Sequence, residues 1–427
     1  MPFHRLSPLF LSVAVAACAT ATAPTLPARL PPPVAIPNSD PRVRSALEKI
    51  RTDDSWLIEQ QTSICEVEAP SFKEQRRAAD FAARFRALGY ANVRIDAEGN
   101  VIAERPGDAG EPVVVLSAHL DTVFPEGTDV RVRRSGDTLR GPGIGDNCRG
   151  LAVLLGVARS LDHAQVRTTG TIIFVATVGE EGAGNLRGVR HLVDVSLKDR
   201  IDYSISVDGA GLSTTSAAVG SNRYRVTYSG PGGHSYGAFG MPNPMHALGR
   251  AIALVSEIQV PTEPRTTFSV GVLRGGTSVN SISESASMDV DLRSESPAAL
   301  AALDSAVMRA VASALGAERA RWPRSSVALN VKIDTIGIRP AATQPDTAPI
   351  VRAALEAART LGFSSETGAS STDANLPMSR GIPAITIDGG GIGRGAHSLN
   401  ESWIATPDAY LGPQWALLIT LTLAGVR

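Results

Sequence analysis

The chain has 427 residues, and 41 Lys and Arg against 42 Asp and Glu give it a formal net charge of −1. This length suffices for two domains with a large apolar core. The balanced charge argues against a nucleic-acid-binding surface, because binding to phosphates depends on clustered Lys and Arg.

The N-terminus has the pattern of an export signal. An apolar stretch from Leu9 to Ala17 follows basic residues and meets Cys18, as in a bacterial lipoprotein signal. We predict a signal peptide over residues 1–17, a lipidated Cys18 that anchors the protein to the membrane, and a Pro-rich tether over residues 18–41. The alternative is an ordinary secretory peptide cut after Cys18. Both hypotheses predict export to the periplasm.

Two cysteines, Cys65 and Cys148, remain in the exported part. An oxidising compartment permits a disulfide if the fold brings them together. Two free, buried thiols are the alternative that the sequence leaves open.

Helix and strand patterns alternate over residues 42–220, which we interpret as the first part of an α/β catalytic domain. An amphipathic helix around Arg77–Leu88 ends at Gly89. A second helix is predicted between strands, and the strands are short β-branched runs typical of a sheet covered on both faces. These segments are the helix Gly150–Leu161 and the strands Val113–Leu116, Ile172–Val175 and Tyr203–Val207.

Residues 221–334 change to strands that bury one face, such as Tyr224–Tyr228 and Ser287–Leu292. With helices over Pro244–Val260 and Pro297–Leu315, the order is βαββαβ. This order predicts an inserted ferredoxin-like α+β domain.

The tail, residues 335–427, returns to helix and strand, with a helix over Asp346–Leu361 and the strand Ala384–Ile387. We interpret it as the second part of the catalytic domain, which completes the first sheet.

Candidate metal ligands follow the predicted strands. His119 and Asp121 come directly after Val113–Leu116, at the carboxyl end of a strand, where α/β sheets place their sites. We expect Asp121 to accept a hydrogen bond from the His119 imidazole or from a loop just beyond it. Either contact would help to orient a metal ligand.

A Gly-rich loop over residues 141–147 contains Asp146 and opens the next helix. It lacks the Lys-Ser/Thr of a phosphate-binding loop, and Asp146 would repel an anion. A carboxylate that bridges two cations suits this position better.

The adjacent acids Glu180 and Glu181 follow the next strand, and Asp208 follows Tyr203–Val207. Neighbouring carboxylates repel unless a cation or proton separates them. The economical division is that Glu181 binds metal while Glu180 activates a water. His397, in a Gly-rich stretch without the acidic partner of a dinucleotide site, completes the set.

With these residues in order, the chain resembles the di-zinc metallopeptidases that include peptidase T, glutamate carboxypeptidase, aminoacylase and succinyl-diaminopimelate desuccinylase. The resemblance extends from about Asp40 to the C-terminus. It implies a zinc-exopeptidase-type catalytic domain, with a mixed sheet between helices, and an inserted lid and dimerisation domain. Asp208 stands where carboxypeptidase-like and acylase members usually have Glu, which favours the peptidase T-like, tripeptidase branch. The run Asp146-Asn147-Cys148 departs from the family's frequent patterns, so the subfamily stays open.

The resemblance also implies the role of each ligand. His119 and Asp208 would hold one Zn²⁺, Glu181 and His397 the other, and Asp146 would bridge them, with other divalent ions as alternatives to zinc. Asp121 would orient the first site, and Glu180 would be the general base. The resemblance makes the Asp146–Asn147 peptide a candidate for the cis form.

Further matches fall in the inserted domain. By resemblance, His234 stabilises the oxyanion, often across a dimer interface, and Arg293 and Asn280 bind the substrate carboxylate. Pairing with a neighbouring acid is the alternative for Arg293.

The sequence thus predicts an exported zinc exopeptidase that cleaves di- and tripeptides and forms a homodimer. Hydrolysis of N-acyl amino acids by the same residues is the alternative within the family. A metal-dependent, peptide-binding lipoprotein without catalysis is the alternative of another class.

Overall fold

The computed structural model describes residues 34–427. The predicted signal peptide, the lipidation site Cys18 and most of the predicted tether lie outside these residues and stay predictions.

Four of the described α-helices begin at a capping side chain. Asp40, Asn147, Asn243 and Ser296 each accept a backbone N–H group from the first turn of the helix that follows. The α-helices are α1 Pro41–Thr52, α2 Asp54–Cys65, α3 Gln75–Ala87, α4 Cys148–His163, α5 Arg187–His191, α6 Pro244–Ser256, α7 Pro297–Ala320, α8 Pro349–Thr360, α9 Asn375–Ser379 and α10 Leu411–Ala424. Short segments of 3-10 helix (Gly182–Gly184) and π-helix (Leu192–Ser196) flank α5.

The strands include every β-branched run that the sequence predicts to be a strand. They are β1 Val93–Ile95, β2 Val101–Arg105, β3 Gly110–His119, β4 Arg133–Ser135, β5 Thr138–Arg140, β6 Gly170–Thr177, β7 Tyr203–Val207, β8 Thr214–Ala218, β9 Gly220–Ser229, β10 Gly233–His234, β11 Thr266–Gly275, β12 Ser281–Ile282, β13 Ser285–Ser294, β14 Asn330–Arg339, β15 Ala342–Thr343, β16 Thr367–Ser370, β17 Ala384–Ile387, β18 Ile392–Arg394 and β19 Ser402–Ile404.

A nine-stranded mixed sheet forms the centre of the domain that the sequence predicts to be catalytic. Its order is β1-β2-β6-β3-β7-β17-β8-β15, with β16 beside β8. The central strands β6, β3, β7 and β17 are mutually parallel. Every residue of β6 is buried, which explains its continuous apolar run. The predicted α/β class is confirmed, and β17 from the tail joins the same sheet.

The inserted domain has a four-stranded antiparallel sheet of order β11-β13-β9-β14. Its core joins this sheet to α6 and α7 through side chains such as Val226, Met288 and Val307. The four strands of this sheet and its two helices follow the order β9-α6-β11-β13-α7-β14, which is the predicted βαββαβ, and the two-residue strands β10 and β12 pair with each other outside this sheet. The last strand continues to Arg339, beyond the predicted boundary at residue 334. We call this domain the lid.

Helix α7 is long and apolar enough to cross a membrane by length and composition alone, with a mean hydropathy of 1.5. It packs on the lid sheet and buries Leu300, Leu303 and Val311. It is therefore a core helix of the lid.

A disulfide joins Cys65, the last residue of α2, to Cys148, the first residue of α4, with their Cα atoms 5.5 Å apart. The sequence left this pairing open. Cys148 comes two residues after Asp146, so the bond ties the Gly-rich loop to α2.

We expect the disulfide to contribute about 2–4 kcal/mol to the free energy of unfolding, because it closes a loop between residues 83 positions apart. A reductant should lower the urea midpoint of the wild-type protein. The Cys65→Ser/Cys148→Ser variant should already show this lower midpoint and should not respond to reductant. An unchanged wild-type midpoint after reduction would contradict the prediction.

Candidate metal centre

The central parallel strands end at one edge of the sheet and bring the predicted ligands together there. His119 is the last residue of β3, and Asp208 directly follows β7. The loop after β6 carries Glu180 and Glu181. This is the edge at which α/β sheets place their sites.

Asp146 lies at the centre of the cluster, and its two oxygens face different histidines. Its Oδ1 lies 3.0 Å from His119 Nε2, and its Oδ2 lies 3.1 Å from His397 Nε2. The Asp146–Asn147 peptide is cis, as the resemblance implied. A carboxylate in this position can contribute one oxygen to each of two adjacent cations.

Two further carboxylates complete the donor sets. Glu181 Oε1 lies 3.0 Å from His397 Nε2, and Asp208 Oδ1 lies 3.5 Å from His119 Nε2. Donor atoms of His119, Asp146 and Glu181 all lie within 4.8 Å of one another. One oxygen of Asp146 thus lies with His119 and Asp208, and its other oxygen lies with His397 and Glu181. Each set has one imidazole nitrogen, one oxygen of Asp146 and one further carboxylate. Three such protein ligands leave room for water or substrate, which fits a pair of catalytic divalent cations.

Asp121 supports the centre in a different way from the simplest expectation. His119 Nδ1 lies 3.0 Å from the main-chain carbonyl of Asp121 but 3.7 Å from its carboxylate. The carboxylate instead accepts the backbone N–H groups of Glu180 and Glu181, at 2.9 and 3.0 Å, and the Ser71 hydroxyl at 2.7 Å. The carbonyl therefore orients the imidazole, and the side chain holds the loop of the two glutamates.

Glu180 is paired with an arginine that the sequence reasoning missed. Arg339 Nη1 donates to Glu180 Oε1 at 2.9 Å, and Arg339 Nη2 donates to the Glu180 main-chain carbonyl. Both side chains are buried. Arg339 is the last residue of β14, so the lid sheet contributes directly to the centre.

The clustered charges shift the pKa values of the ligands. The hydrogen bond that His397 donates to the Asp146 carboxylate raises the pKa of His397 to about 9. Burial, followed by the charge of Asp146, raises the pKa of Glu181 to about 7. Burial also raises the pKa of Glu180, although the Arg339 charge opposes this shift. Since cations bind the deprotonated ligands, metal binding would release these protons.

Glu401 holds the loop that carries Asp146. Its buried carboxylate accepts the backbone N–H groups of Gly143, Gly145 and Asp146, at 2.9, 2.8 and 3.0 Å. Glu401 lies four positions after His397, so it joins the Asp146 loop to the His397 segment. In the sequence, the signal for Glu401 is its position four residues after the predicted ligand His397.

A cavity of about 650 Å³ opens beside the centre. Arg293 from the lid lines it, together with Arg223, Arg339 and Asp388. Arg293 Nε also donates to Asp291 at 2.7 Å, so it has the acidic neighbour that the alternative interpretation expected.

His234 and Asn280 are not among the described residues that line this cavity. Both are exposed and lie together on the lid, where the Ser235 N–H donates to the Asn280 carbonyl. The roles predicted for them stay predictions.

Comparisons with known proteins agree with this geometry. A family model described as peptidase family M20/M25/M40 matches residues 115–412. Carboxypeptidase G2 from Pseudomonas sp. (strain RS-16) is 27% identical over 223 residues, which cover 49% of this chain and 52% of that protein. The matched region thus spans about half the length of this curated relative.

Solved structures resemble the chain over most of its length. A tripeptidase from Staphylococcus aureus subsp. aureus Mu50 has a TM-score of 0.71 and 20% identity, and the match covers 87% of this chain and 98% of that one. The Bacillus subtilis YXEP protein, a dinuclear metal-binding peptidase, has a TM-score of 0.62 and 18% identity, with 88% and 99% covered. At this identity the likeness shows the fold alone.

We expect Glu401→Gln to weaken metal binding about 10- to 100-fold, because the amide replaces one acceptor of the loop N–H groups with a donor. Isothermal titration with Zn²⁺, together with elemental analysis, measures this change. Glu366→Gln, the same substitution at an exposed position, is the matched control and should leave metal affinity unchanged. Wild-type affinity in Glu401→Gln would contradict the role assigned to Glu401.

Proposed function

This chain belongs to peptidase family M20/M25/M40, and on this basis we propose that it is a zinc-dependent exopeptidase that hydrolyses short peptides. The observation that carries the proposal is the position of Asp146 between His119 and His397. Glu181 and Asp208 complete two matching donor sets beside a cavity large enough for a small peptide.

His119, Asp208 and Asp146 would hold one cation, and His397, Glu181 and Asp146 the other. When bound, two cations would polarise the scissile carbonyl and increase the acidity of a nearby water. Nitrogen and carboxylate donors in three-residue sets suit zinc.

In this proposal Glu180 is the proton carrier. Its carboxylate accepts a proton from the attacking water and then donates a proton to the leaving amine. Arg339 and the N–H contact with Asp121 hold Glu180 in the cavity wall. Arg293 lines the same cavity from the lid, and its planar guanidinium suits the free carboxylate of a peptide.

We also propose that the protein is exported to the periplasm. The disulfide between Cys65 and Cys148 supports it, because such bonds persist in oxidising compartments.

The proposal is tested with a panel of di- and tripeptides and N-acyl amino acids, offered to metal-loaded and chelator-treated protein. We expect metal-dependent release of amino acids from the free peptides. The Glu180→Gln variant should lose about 10²- to 10⁴-fold in kcat, because it lacks the proton acceptor, yet should keep its bound metal.

Glu181→Gln is the matched comparison, since it should lose metal as well as activity. Full activity in Glu180→Gln would refute the assigned mechanism. Cleavage of N-acyl amino acids alone would indicate an acylase. Absence of hydrolysis of every substrate would favour a binding protein.

We further propose a homodimer formed through the lid. Tyr236, Phe239 and Val279 expose 89%, 73% and 103% of their surface near His234 and Asn280. Phe239 and Val279 line one surface pocket, and contiguous exposed apolar patches are typical of interaction surfaces. A second subunit on this face would cover these side chains.

Sedimentation equilibrium tests this proposal. We expect a dimer at micromolar concentration, and we expect Val279→Asp to weaken dimerisation at least about tenfold, because a charge would become buried without a partner. Val195→Asp, at an exposed valine outside the lid, should have no effect. A wild-type monomer would refute the proposal.

A further inference from the structure

Asp388 is a carboxylate of the cavity that the proposed chemistry does not use. It directly follows β17, whose parallel register with β7 pairs Ile387 with Val207. Asp388 and Asp208 are therefore the next residues on two neighbouring strands, about 5 Å apart along the sheet edge. Both line the cavity.

Local contacts hold Asp388 in place without neutralising it. Its Oδ2 accepts the Ser213 N–H at 2.8 Å, and its own N–H donates to the Ser213 carbonyl at 3.2 Å. A carboxylate has about four acceptor sites, so further donors can bind. Burial, followed by the neighbouring charge of Asp208, raises the pKa of Asp388 to about 6, and hydrogen bonds from Ser213 partly oppose this rise.

The lid side of the cavity carries the opposite charge. Arg223 and Arg293 both line the cavity, and their Nε atoms donate to the two oxygens of Asp291, at 3.1 and 2.7 Å. The cavity therefore has an acidic wall on the sheet and a basic wall on the lid. A zwitterion with separated ends fits this distribution of charge.

The distance between the reacting carbonyl and an N-terminal amine decides which amine Asp388 can reach. In an N-terminal residue the amine nitrogen and the carbonyl carbon are joined through one Cα and lie about 2.5 Å apart. If the reacting carbonyl lies beside Asp208, this amine is therefore close enough to contact Asp388 at the end of the neighbouring strand.

From this geometry we propose that Asp388 binds the free α-ammonium group of the substrate and so selects peptides with an unblocked N-terminus. This inference rests on the proposed function and specifies its substrate class. The same side chain would disfavour N-acyl substrates, because an acylated nitrogen has no charge to pair with Asp388.

The test compares a tripeptide such as Leu-Gly-Gly with its N-acetyl form, using the zinc-loaded wild type and Asp388→Asn. The amide still accepts the Ser213 N–H but lacks the charge. We expect kcat/KM for the free peptide to fall about 10- to 100-fold in the variant, as for the loss of a charge-assisted hydrogen bond. The value for the acetylated peptide should change less than about twofold.

Three results would overturn the inference: a wild type that prefers the acetylated peptide, an equal loss for both peptides, or loss of bound zinc in Asp388→Asn. Asp137→Asn, the same change in an exposed turn, is the matched control and should keep wild-type values for both substrates.

Binding separates this inference from the proposed function. In zinc-loaded Glu180→Gln protein, isothermal titration with the same two peptides requires no turnover. We expect tighter binding of the free peptide, and we expect the added Asp388→Asn change to remove this preference. Absence of any hydrolysis by the wild type would refute the proposed function alone. Equal binding of the two peptides would refute the role of Asp388.

Discussion

The concentration of negative charge around Asp146 is the constraint on which this site depends. Five carboxylates, from Asp121, Asp146, Glu180, Glu181 and Asp208, lie at one edge of the sheet together with two imidazoles and the Arg339 guanidinium. Burial raises the pKa values of Glu180 and Glu181, and repulsion from neighbouring carboxylates adds to this rise. Divalent cations would relieve this repulsion, so metal binding and the stability of the site are coupled.

Backbone N–H groups stabilise two of the buried carboxylates near Asp146 by donating hydrogen bonds to them. The Glu401 carboxylate accepts hydrogen bonds from three N–H groups of the Asp146 loop, and the Asp121 carboxylate accepts hydrogen bonds from the N–H groups of Glu180 and Glu181. These contacts hold the Asp146 loop and the loop of the two glutamates by their main chains, and the side chains of Asp146, Glu180 and Glu181 line the cavity. The disulfide at Cys148 ties the end of the same loop to α2. The ligand geometry is therefore imposed by surrounding elements rather than by the ligands themselves.

Much of the fold could be predicted because its signals are local. β-branched runs marked β6, β7 and β17, and the ligands follow strands whose carboxyl ends must meet at one edge. Arg339 and Glu401 could not be predicted, because their partners lie 159 and about 255 positions away. The pairing of Cys65 with Cys148 depends likewise on how α2 packs beside α4. His234 and Asn280 were identified by resemblance alone, and they lie outside the described residues that line the cavity.

The acidic and basic walls of the cavity belong to different domains. Asp388 is fixed to the central sheet through β17, whereas Arg293 and Arg223 belong to the lid sheet. Their separation therefore depends on where the lid lies relative to the central sheet. Arg339 links the two, because it ends a lid strand and binds Glu180. Under the proposed function, the position of the lid relative to the central sheet would set the preferred length of a zwitterionic peptide, and substitutions in either wall would change charge recognition without changing that length.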